Sequence, residues 1–334
     1  MKILNPFLTQ EDISLNELLR PNSFDEFIGK DKIKENLRVF IQAAKKRKES
    51  LDHVIFTGPP GLGKTTLSYI IAKEMGSNIK TLSGPIIEKP FDLVSVLTNL
   101  KKGDVLFIDE IHRLPRSVEE YLYSAMENFE IEIMVDKGPH AKPIKIKIPP
   151  FTLVGATTRL GLLTGPIQSR FGIHIRIDYY DIYELKEIVK RSSRILNIKI
   201  EDDAAFEIAK RGRGTPRIVN RLLKRVRDFA DYKSKNKIDL EITRYALEKL
   251  EVDDLGLNEM DKKILYMIYE KFNGGPVGLK TLSLAIGEDM GTIEEVYEPY
   301  LLREGLIERT PRGRRITLKA IKHLDMKRKS IFKE

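Results

Sequence analysis

Gly58-Pro59-Pro60-Gly61-Leu62-Gly63-Lys64-Thr65 follows the apolar run Val54-Ile55-Phe56 and precedes an apolar-periodic stretch from Leu67 to Met75. Strand, glycine-rich loop and helix in that order form the setting of a Walker A phosphate loop. The glycines let successive backbone N–H groups turn inward around an anion, and the helix N-terminus adds the positive end of its dipole. In such a loop Lys64 reaches the β- and γ-phosphates and the Thr65 hydroxyl holds Mg²⁺. A glycine-rich turn that only linked strand to helix would have no need of Lys and Thr straight after its last glycine. The stretch predicts an α/β domain that binds a nucleoside triphosphate.

Outward from the loop, short apolar runs alternate with helical patterns: Val54–Thr57, Ile79–Ser83, Val105–Ile108, Thr152–Ala156 and Ile173–Ile177. Alternation of this kind implies a parallel sheet covered by helices. From Asp181 to about Val252 the strand signal stops. Leu185, Ile188, Val189, Ser192 and Leu196 share one helix face. A second helix opens at Thr215-Pro216, with Thr as N-cap, and is expected to bury Ile218, Leu222, Val226 and Phe229. Leu240 to Leu250 reads as a third. Glu251-Val252-Asp253-Asp254-Leu255-Gly256 reads as a linker. Beyond it, Glu259–Phe272, Leu279–Gly287 and Ile293–Glu304 are helical patterns, and Leu306–Arg309 and Arg315–Leu318 are strands around Thr310-Pro311-Arg312-Gly313-Arg314. Three helices and a hairpin describe a winged helix, and a basic wing suits phosphate contact. The expected domains are therefore 1–180, 181–252 and 255–324, with a tail over 325–334 expected to be disordered.

Composition agrees with this outline. At 334 residues and 41% hydrophobic content the chain is globular and long enough for two or three domains. Zero cysteines exclude disulfides, zinc–thiolate sites and thiol nucleophiles. No run is long and apolar enough for a bilayer, so the expectation is a cytoplasmic protein with no membrane partner. Net charge is +9, and eleven Lys/Arg stand against three Asp/Glu between Arg303 and Lys333, which favours nucleic acid as a partner.

Further chemistry sits at the ends of the predicted strands. Val105-Leu106-Phe107-Ile108 leads into Asp109-Glu110 at the carboxyl edge, where open α/β sheets place ligands. Asp109 would serve Mg²⁺ and Glu110 would polarise the attacking water, making the protein an ATP hydrolase rather than a passive binder. The third strand ends Gly155-Ala156-Thr157-Thr158-Arg159; Thr158 is placed to fix the water, while Thr157 has the alternative of satisfying its own backbone. Arg170 and Arg217 are the two arginines able to supply positive charge beside the γ-phosphate. For each, a surface role stands beside that one.

Together these residues resemble an AAA+ ATPase: an α/β P-loop domain with its parallel sheet between helices, a small helical lid domain and a C-terminal winged-helix domain. More closely, Gly58–Thr66, Asp109-Glu110-Ile111-His112-Arg113-Leu114, Gly155–Arg159, Arg170-Phe171-Gly172, Gly214-Thr215-Pro216-Arg217 and Arg309–Arg314 resemble the RuvB family, over Leu19 to about Leu324. That resemblance implies an ATP-driven, helicase-type motor of Holliday-junction branch migration in recombination and repair. It implies a hexameric ring around duplex DNA, with RuvA holding the junction and RuvC in the complex. By position, it assigns Leu19, Arg20 and Tyr180 to the adenine side. Gly61, Gly63, Lys64, Thr65 and Thr66 would take the phosphates, with Thr65 and Asp109 on Mg²⁺ and Glu110 on the water. Thr158 would be sensor 1, Arg217 sensor 2 and Arg170 a finger acting on a neighbour's ATP. Glu127, Asn128 and Phe129 would border the nucleotide, and Arg309 and Arg314 would touch DNA. The alternating segments Ile131–Val135 and Ile144–Ile148 would form the RuvA-binding hairpin, or else a plain extension of the sheet. Lys30, Gly165 and Gln168 depart from the family pattern. A clamp-loader or initiator ATPase and a DNA-binding regulator are the competing readings.

Overall fold

The computed structural model describes residues 14–331 other than 16, 135–142 and 234–235, with side chains as far as 324. Its contacts separate into two compact units. One is Asn16–Glu184 with Thr215–Arg217; the other is built on Leu185–Gly214 and the chain from Ile218 onward.

The first unit runs α1 (Asp31–Arg47), β1 (Val54–Thr57), α2 (Lys64–Met75), β2 (Ile79–Ser83), α3 (Pro90–Leu97), β3 (Val105–Asp109), α4 (Arg116–Asn128), β4 (Glu130–Met134), β5 (Pro143–Lys147), β6 (Thr152–Thr157), α5 (Gly165–Ser169) and β7 (Ile173–Arg176). Five strands form one parallel sheet in the order β2-β3-β6-β1-β7. Strands covered on both faces read as unbroken apolar runs, and β3 and β6 are buried almost throughout. Ile55, Leu106, Ile108 and Leu153 pack with α3 and α4, while α2 packs on β3 and β6. The register pairs Thr57 with Thr157 and Ile108 with Gly155. The phosphate loop, Asp109-Glu110 and Thr158 therefore emerge side by side at one edge.

β4 and β5 pair antiparallel, Ile131 opposite Ile146 and Ile133 opposite Ile144. Residues 135–142 between them lie outside the described residues. Ile131 is buried, Ile144 is half exposed, and Glu132 and Lys145 form an ion pair at 3.0 Å.

The second unit departs from expectation in several places. Besides α6 (Ile182–Ile195), α8 (Pro216–Tyr232) and α9 (Leu240–Lys249), it holds a further helix α7 (Asp202–Lys210), and the supposedly strand-free region contains the short parallel pair β8 (Lys199–Ile200) and β9 (Lys237–Ile238). Val219 and Leu223, not Ile218 and Phe229, lie deepest on α8 beside Leu222 and Val226, because the contact stripe is turned about one position from the expected one. The linker is not slack: Asp253 is buried, and its carboxylate accepts the N–H groups of Leu255 and Leu257 at 3.0 and 2.9 Å.

The winged helix comprises α10 (Glu259–Tyr266), continued by π turns over Met267–Lys271, then α11 (Leu279–Ile286), a third helix from Met290 through π turns at Ile293–Tyr297 to α12 (Glu298–Arg303), the wing β10 (Ile307–Thr310) and β11 (Gly313–Ile316), and α13 (Leu318–Ile331). A reciprocal box in which Asn258 and Asp261 each accept the other's backbone N–H at 2.8 Å starts α10. Leu265, Ile268, Leu282, Leu301, Leu306 and Ala320 fill the core. The wing turns in two residues, Thr310 pairing with Gly313, so Arg314 sits within a strand opposite Arg309 and not in a loop. Of the expected tail, helix α13 takes in the backbone as far as Ile331, and residues 332–334 lie outside the described residues.

Candidate nucleotide-hydrolysis site

The phosphate loop is shaped by left-handed backbone at Gly61 (φ 79°) and Gly63 (φ 100°). At Gly61 a Cβ would lie 2.9 Å from the Thr215 methyl and 3.1 Å from Arg217 Cβ, so only glycine admits that close approach. Lys64 is buried at the first turn of α2 and donates to the carbonyls of Gly58 and Pro59, both at 2.7 Å. Burial lowers its ammonium pKa to about 8; Arg217 pushes the same way, and Asp109 and Glu110 oppose. Thr65 and Thr66 follow on the same turn, half-buried. The Thr65 hydroxyl is 3.4 Å from Asp109 Oδ2.

A hydroxyl and a carboxylate at that spacing, beside a loop of inward N–H groups, fit Mg²⁺ with a polyphosphate. That ion takes one or two protein oxygens and completes its shell with phosphate and water. Among the described residues there is no cluster of three or more His, Cys, Asp or Glu that could hold a metal ion.

Glu110 stands next to Asp109 in the left-handed region (φ 49°), a backbone cost that non-glycine residues meet chiefly at functional positions. Its carboxylate accepts Arg113 Nη1 at 3.1 Å. The two threonines at the end of β6 divide as their burial dictates. Thr157 is buried, its hydroxyl engaged with His112 Nδ1 and with the Arg159 N–H, both at 2.9 Å; Thr158 is exposed. Arg217, in the first turn of α8, clusters with the loop, its N–H 3.5 Å from the Gly61 carbonyl.

Of the residues expected on the adenine side, Tyr180 is buried and donates its hydroxyl to the Leu62 carbonyl at 3.1 Å; burial pushes its phenol far above the ordinary range, so it stays a donor. Leu19 is buried, and Arg20 lies over the Tyr69 ring at 4.2 Å. Lys30, one of the departures, covers the other ring, Nζ 4.2 Å from the Tyr180 centroid and 2.9 Å from the Tyr179 carbonyl. Phe27, absent from the sequence reading, would meet any Cβ on Gly63 at 3.1 Å.

Arg170 lies elsewhere. It precedes β7, at the amino edge of the sheet, and bonds Glu127 at 2.5 Å and the Tyr123 hydroxyl at 2.6 Å on α4. Glu127 follows Met126, whose carbonyl meets His53 just before β1. Along β1 that edge is about 16 Å from the phosphate loop, from five residues at ~3.3 Å each. Arg170 Nε is buried with no hydrogen-bond partner. Asn128 is exposed at this edge, and the Phe129 ring turns inward to Phe151, 6.0 Å away edge to face. Gln168, another departure, donates to the carbonyls of Leu160 and Leu163 at 3.1 and 2.8 Å and so braces the Arg170 segment.

Sequence reasoning overlooked Tyr123, His112 and Arg113 as working partners. Tyr123 is four residues before Glu127, the spacing of one helix face, and the other two follow Asp109-Glu110 after a single residue, Ile111.

In the winged helix, Arg309 and Arg314 both grip Glu298, 1% exposed, at 2.8–2.9 Å. Burial would raise that carboxyl, but the arginine bonds and charges outweigh it and hold it below the ordinary value. Arg312, at the wing tip, is exposed.

Three family models match the chain in succession: the Holliday junction DNA helicase RuvB P-loop domain over 19–177, the RuvB AAA lid domain over 180–253, and the RuvB C-terminal winged helix domain over 254–325. A curated Holliday junction branch migration complex subunit RuvB of Salinibacter ruber is 57% identical over 95% of this chain and 92% of its own length. The corresponding subunit of Flavobacterium psychrophilum is 59% identical over 94% and 92%. A solved Thermotoga maritima RuvB, described as a Holliday junction branch migration motor, superimposes with a TM-score of 0.83 at 52% identity, covering 92% of this chain and 98% of its own.

Proposed function

The chain belongs to the RuvB family, the ATP-hydrolysing motors of Holliday-junction branch migration, and from that premise we propose that its ATP is cleaved at the seam between two copies. One observation carries this reading: Arg170 sits at the opposite end of the parallel strands from the phosphate loop of its own chain. An arginine so placed, its side chain 35% exposed and held by Glu127, serves a nucleotide held by a neighbour. Head-to-tail contacts of that kind close into rings, and a hexamer around duplex DNA is the assembly we infer. Clamp-loader, initiator and regulator readings give way to the three successive family matches.

Within each seam, Gly61, Gly63, Lys64, Thr65 and Thr66 bind the phosphates, and Thr65 with Asp109 hold Mg²⁺. When bound, the ion neutralises charge developing on the transferred phosphoryl group. Glu110 accepts the proton of the attacking water, Thr158 orients that water, and Arg217 stabilises charge from the same chain. Leu19, Arg20 and Tyr180 frame the base, while Glu127, Asn128 and Phe129 border the neighbour's nucleotide beside Arg170.

We assign RuvA to the β4–β5 hairpin over 131–148, supported by the half-exposed Ile144, and junction DNA to the winged helix. RuvC in the complex and a cytoplasmic setting follow from the same reading; among the described residues no helix is long and apolar enough to cross a membrane. Domains of 1–180, 181–252 and 255–324 are supported by the three matched segments. Arg309 and Arg314 reach DNA phosphates only if Glu298 leaves them charge to spare; the turn that holds Arg312 brings further charge to the same wing.

Mixing Lys64→Ala with Arg170→Ala protein tests the seam. Each is inactive alone, yet a loop from one beside an arginine from the other rebuilds working sites, at 1:1 about a quarter of all sites for random head-to-tail assembly. No recovered ATPase at any ratio would refute hydrolysis in trans.

A further inference from the structure

Arg213 lies four residues before Arg217 and outside the nucleotide site. Its guanidinium, 7% exposed, pairs with Asp261, which is fully buried in the first turn of α10. Its Nε donates to the Gly256 carbonyl at 2.8 Å, and its own carbonyl accepts Arg303 Nη1 at 3.1 Å. The Tyr300 ring lies against both guanidinium groups, 4.6 Å from that of Arg213 and 5.0 Å from that of Arg303, and its hydroxyl donates to the Leu255 carbonyl. One residue of the lid is thus bonded to the linker, to α10 and to α12. Gly256 closes the joint: a Cβ there would stand 2.8 Å from the Arg211 carbonyl. Bending between lid and winged helix would have to open a buried ion pair, which is strongly unfavourable.

From this joint the chain is short. Arg213 (φ 52°) and Gly214 (φ 69°) are both left-handed, and Pro216 has a ring-fixed φ. Thr215 and Arg217 already touch the phosphate loop at Gly61. A buried anchor in the lid and a contact on the loop are therefore separated by a single residue, Gly214, which leaves almost no slack to absorb movement.

We propose that Arg213 is a positioning residue that makes lid and winged helix one body, so that DNA held on the winged helix changes nucleotide affinity through Gly214–Arg217. The inference rests on the reading above that this chain binds both ligands. A purely structural ion pair would stabilise the fold and transmit nothing.

Coupling free energy is reciprocal, so it is read from two affinities. The full-length chain is titrated with a fluorescent ADP analogue, with and without a saturating duplex, and with duplex, with and without the analogue. In the native chain duplex is expected to change the analogue's Kd by about fivefold or more, with the same factor in the reverse titration. Two variants are compared. Arg213→Met with Asp261→Asn removes the ion pair while keeping an acceptor for the Asn258 N–H that starts α10. Arg303→Ala leaves the ion pair intact and removes the hold on the Arg213 carbonyl, together with the Arg303 contacts to the Tyr300 ring and Glu304. In both, each separate Kd should stay within about twofold of native while the coupling factor falls, towards one in the double variant and by at least about half in Arg303→Ala. A native factor in Arg303→Ala, or in a double variant that retains native duplex affinity, overturns the proposal. If the double variant fails to fold, Arg303→Ala decides. A native chain that binds both ligands with a factor of one also overturns it; one that binds neither overturns the functional reading instead.

Discussion

Raising the pH above 8 should loosen nucleotide binding through Lys64. The side chain is buried, and that burial lowers its pKa to about 8, so an increasing share of the protein loses the ammonium charge as pH climbs. Polyphosphate requires the charged form and drags the proton back on binding. The apparent Kd then grows by the factor 1 + 10^(pH − 8), tenfold for each unit well above the pKa. Between pH 7.5 and 9.5 this amounts to about 25-fold, or about 2 kcal/mol, and at pH 9 close to one proton is taken up for each ADP bound. Calorimetry in two buffers of different ionisation enthalpy measures that proton directly, and starting at pH 7.5 keeps the phosphates fully ionised throughout. Lys64→Arg, charged over the whole range, should flatten the dependence. Affinity that is level from 7.5 to 9.5 with no proton uptake would show that burial does not depress the Lys64 ammonium pKa to about 8.

Three further outcomes are expected. The His53 Nδ1 accepts the Leu153 N–H at 2.8 Å, which puts its proton on Nε2 towards the Met126 carbonyl, and burial depresses its pKa. Because the unfolded chain binds that proton more readily, stability is complete above about pH 6.5 and falls as pH drops below it; His53→Gln should weaken that acid dependence in urea titrations. Thr157→Val removes the hydroxyl bonded by the Arg159 N–H and by His112 and should cost about 1–3 kcal/mol, whereas Thr158→Val should leave the melting temperature alone and cut kcat; equal effects on both readouts would contradict the division. Arg314→Ala strips one of two counter-charges from Glu298 and should destabilise the winged helix by about 2 kcal/mol with no rescue by Lys, which lacks the paired geometry; an unchanged calorimetric transition would show that the grip on Glu298 is idle.

Much of the first unit was legible because strands covered on both faces must be apolar end to end, and because the phosphate loop carries its chemistry in consecutive residues. Asp109-Glu110 and Thr157-Thr158 could be ordered by strand ends alone. Helix α7 escaped because its buried face is Ala204, Ala205, Ile208 and Ala209, too small to raise a clear periodic signal. Strands β8 and β9, two residues each, are shorter than any period that could announce them. Arg170 finds Tyr123 and Glu127 across more than forty residues, and Arg213 finds Asp261 across forty-eight, so no local pattern could pair them. Arg309 and Arg314 read as a basic wing, but the carboxylate between them, Glu298, comes from a separate helix eleven residues before Arg309, so no local pattern could announce it.

All five strands of the sheet run the same way, and that polarity has an evolutionary implication. On the proposed trans reading, fuel intake and ignition are held apart by the length of the strands themselves, a dimension that no point substitution can shorten. A solitary copy would then store a triphosphate with no shortcut to burning it, and consumption would wait on company.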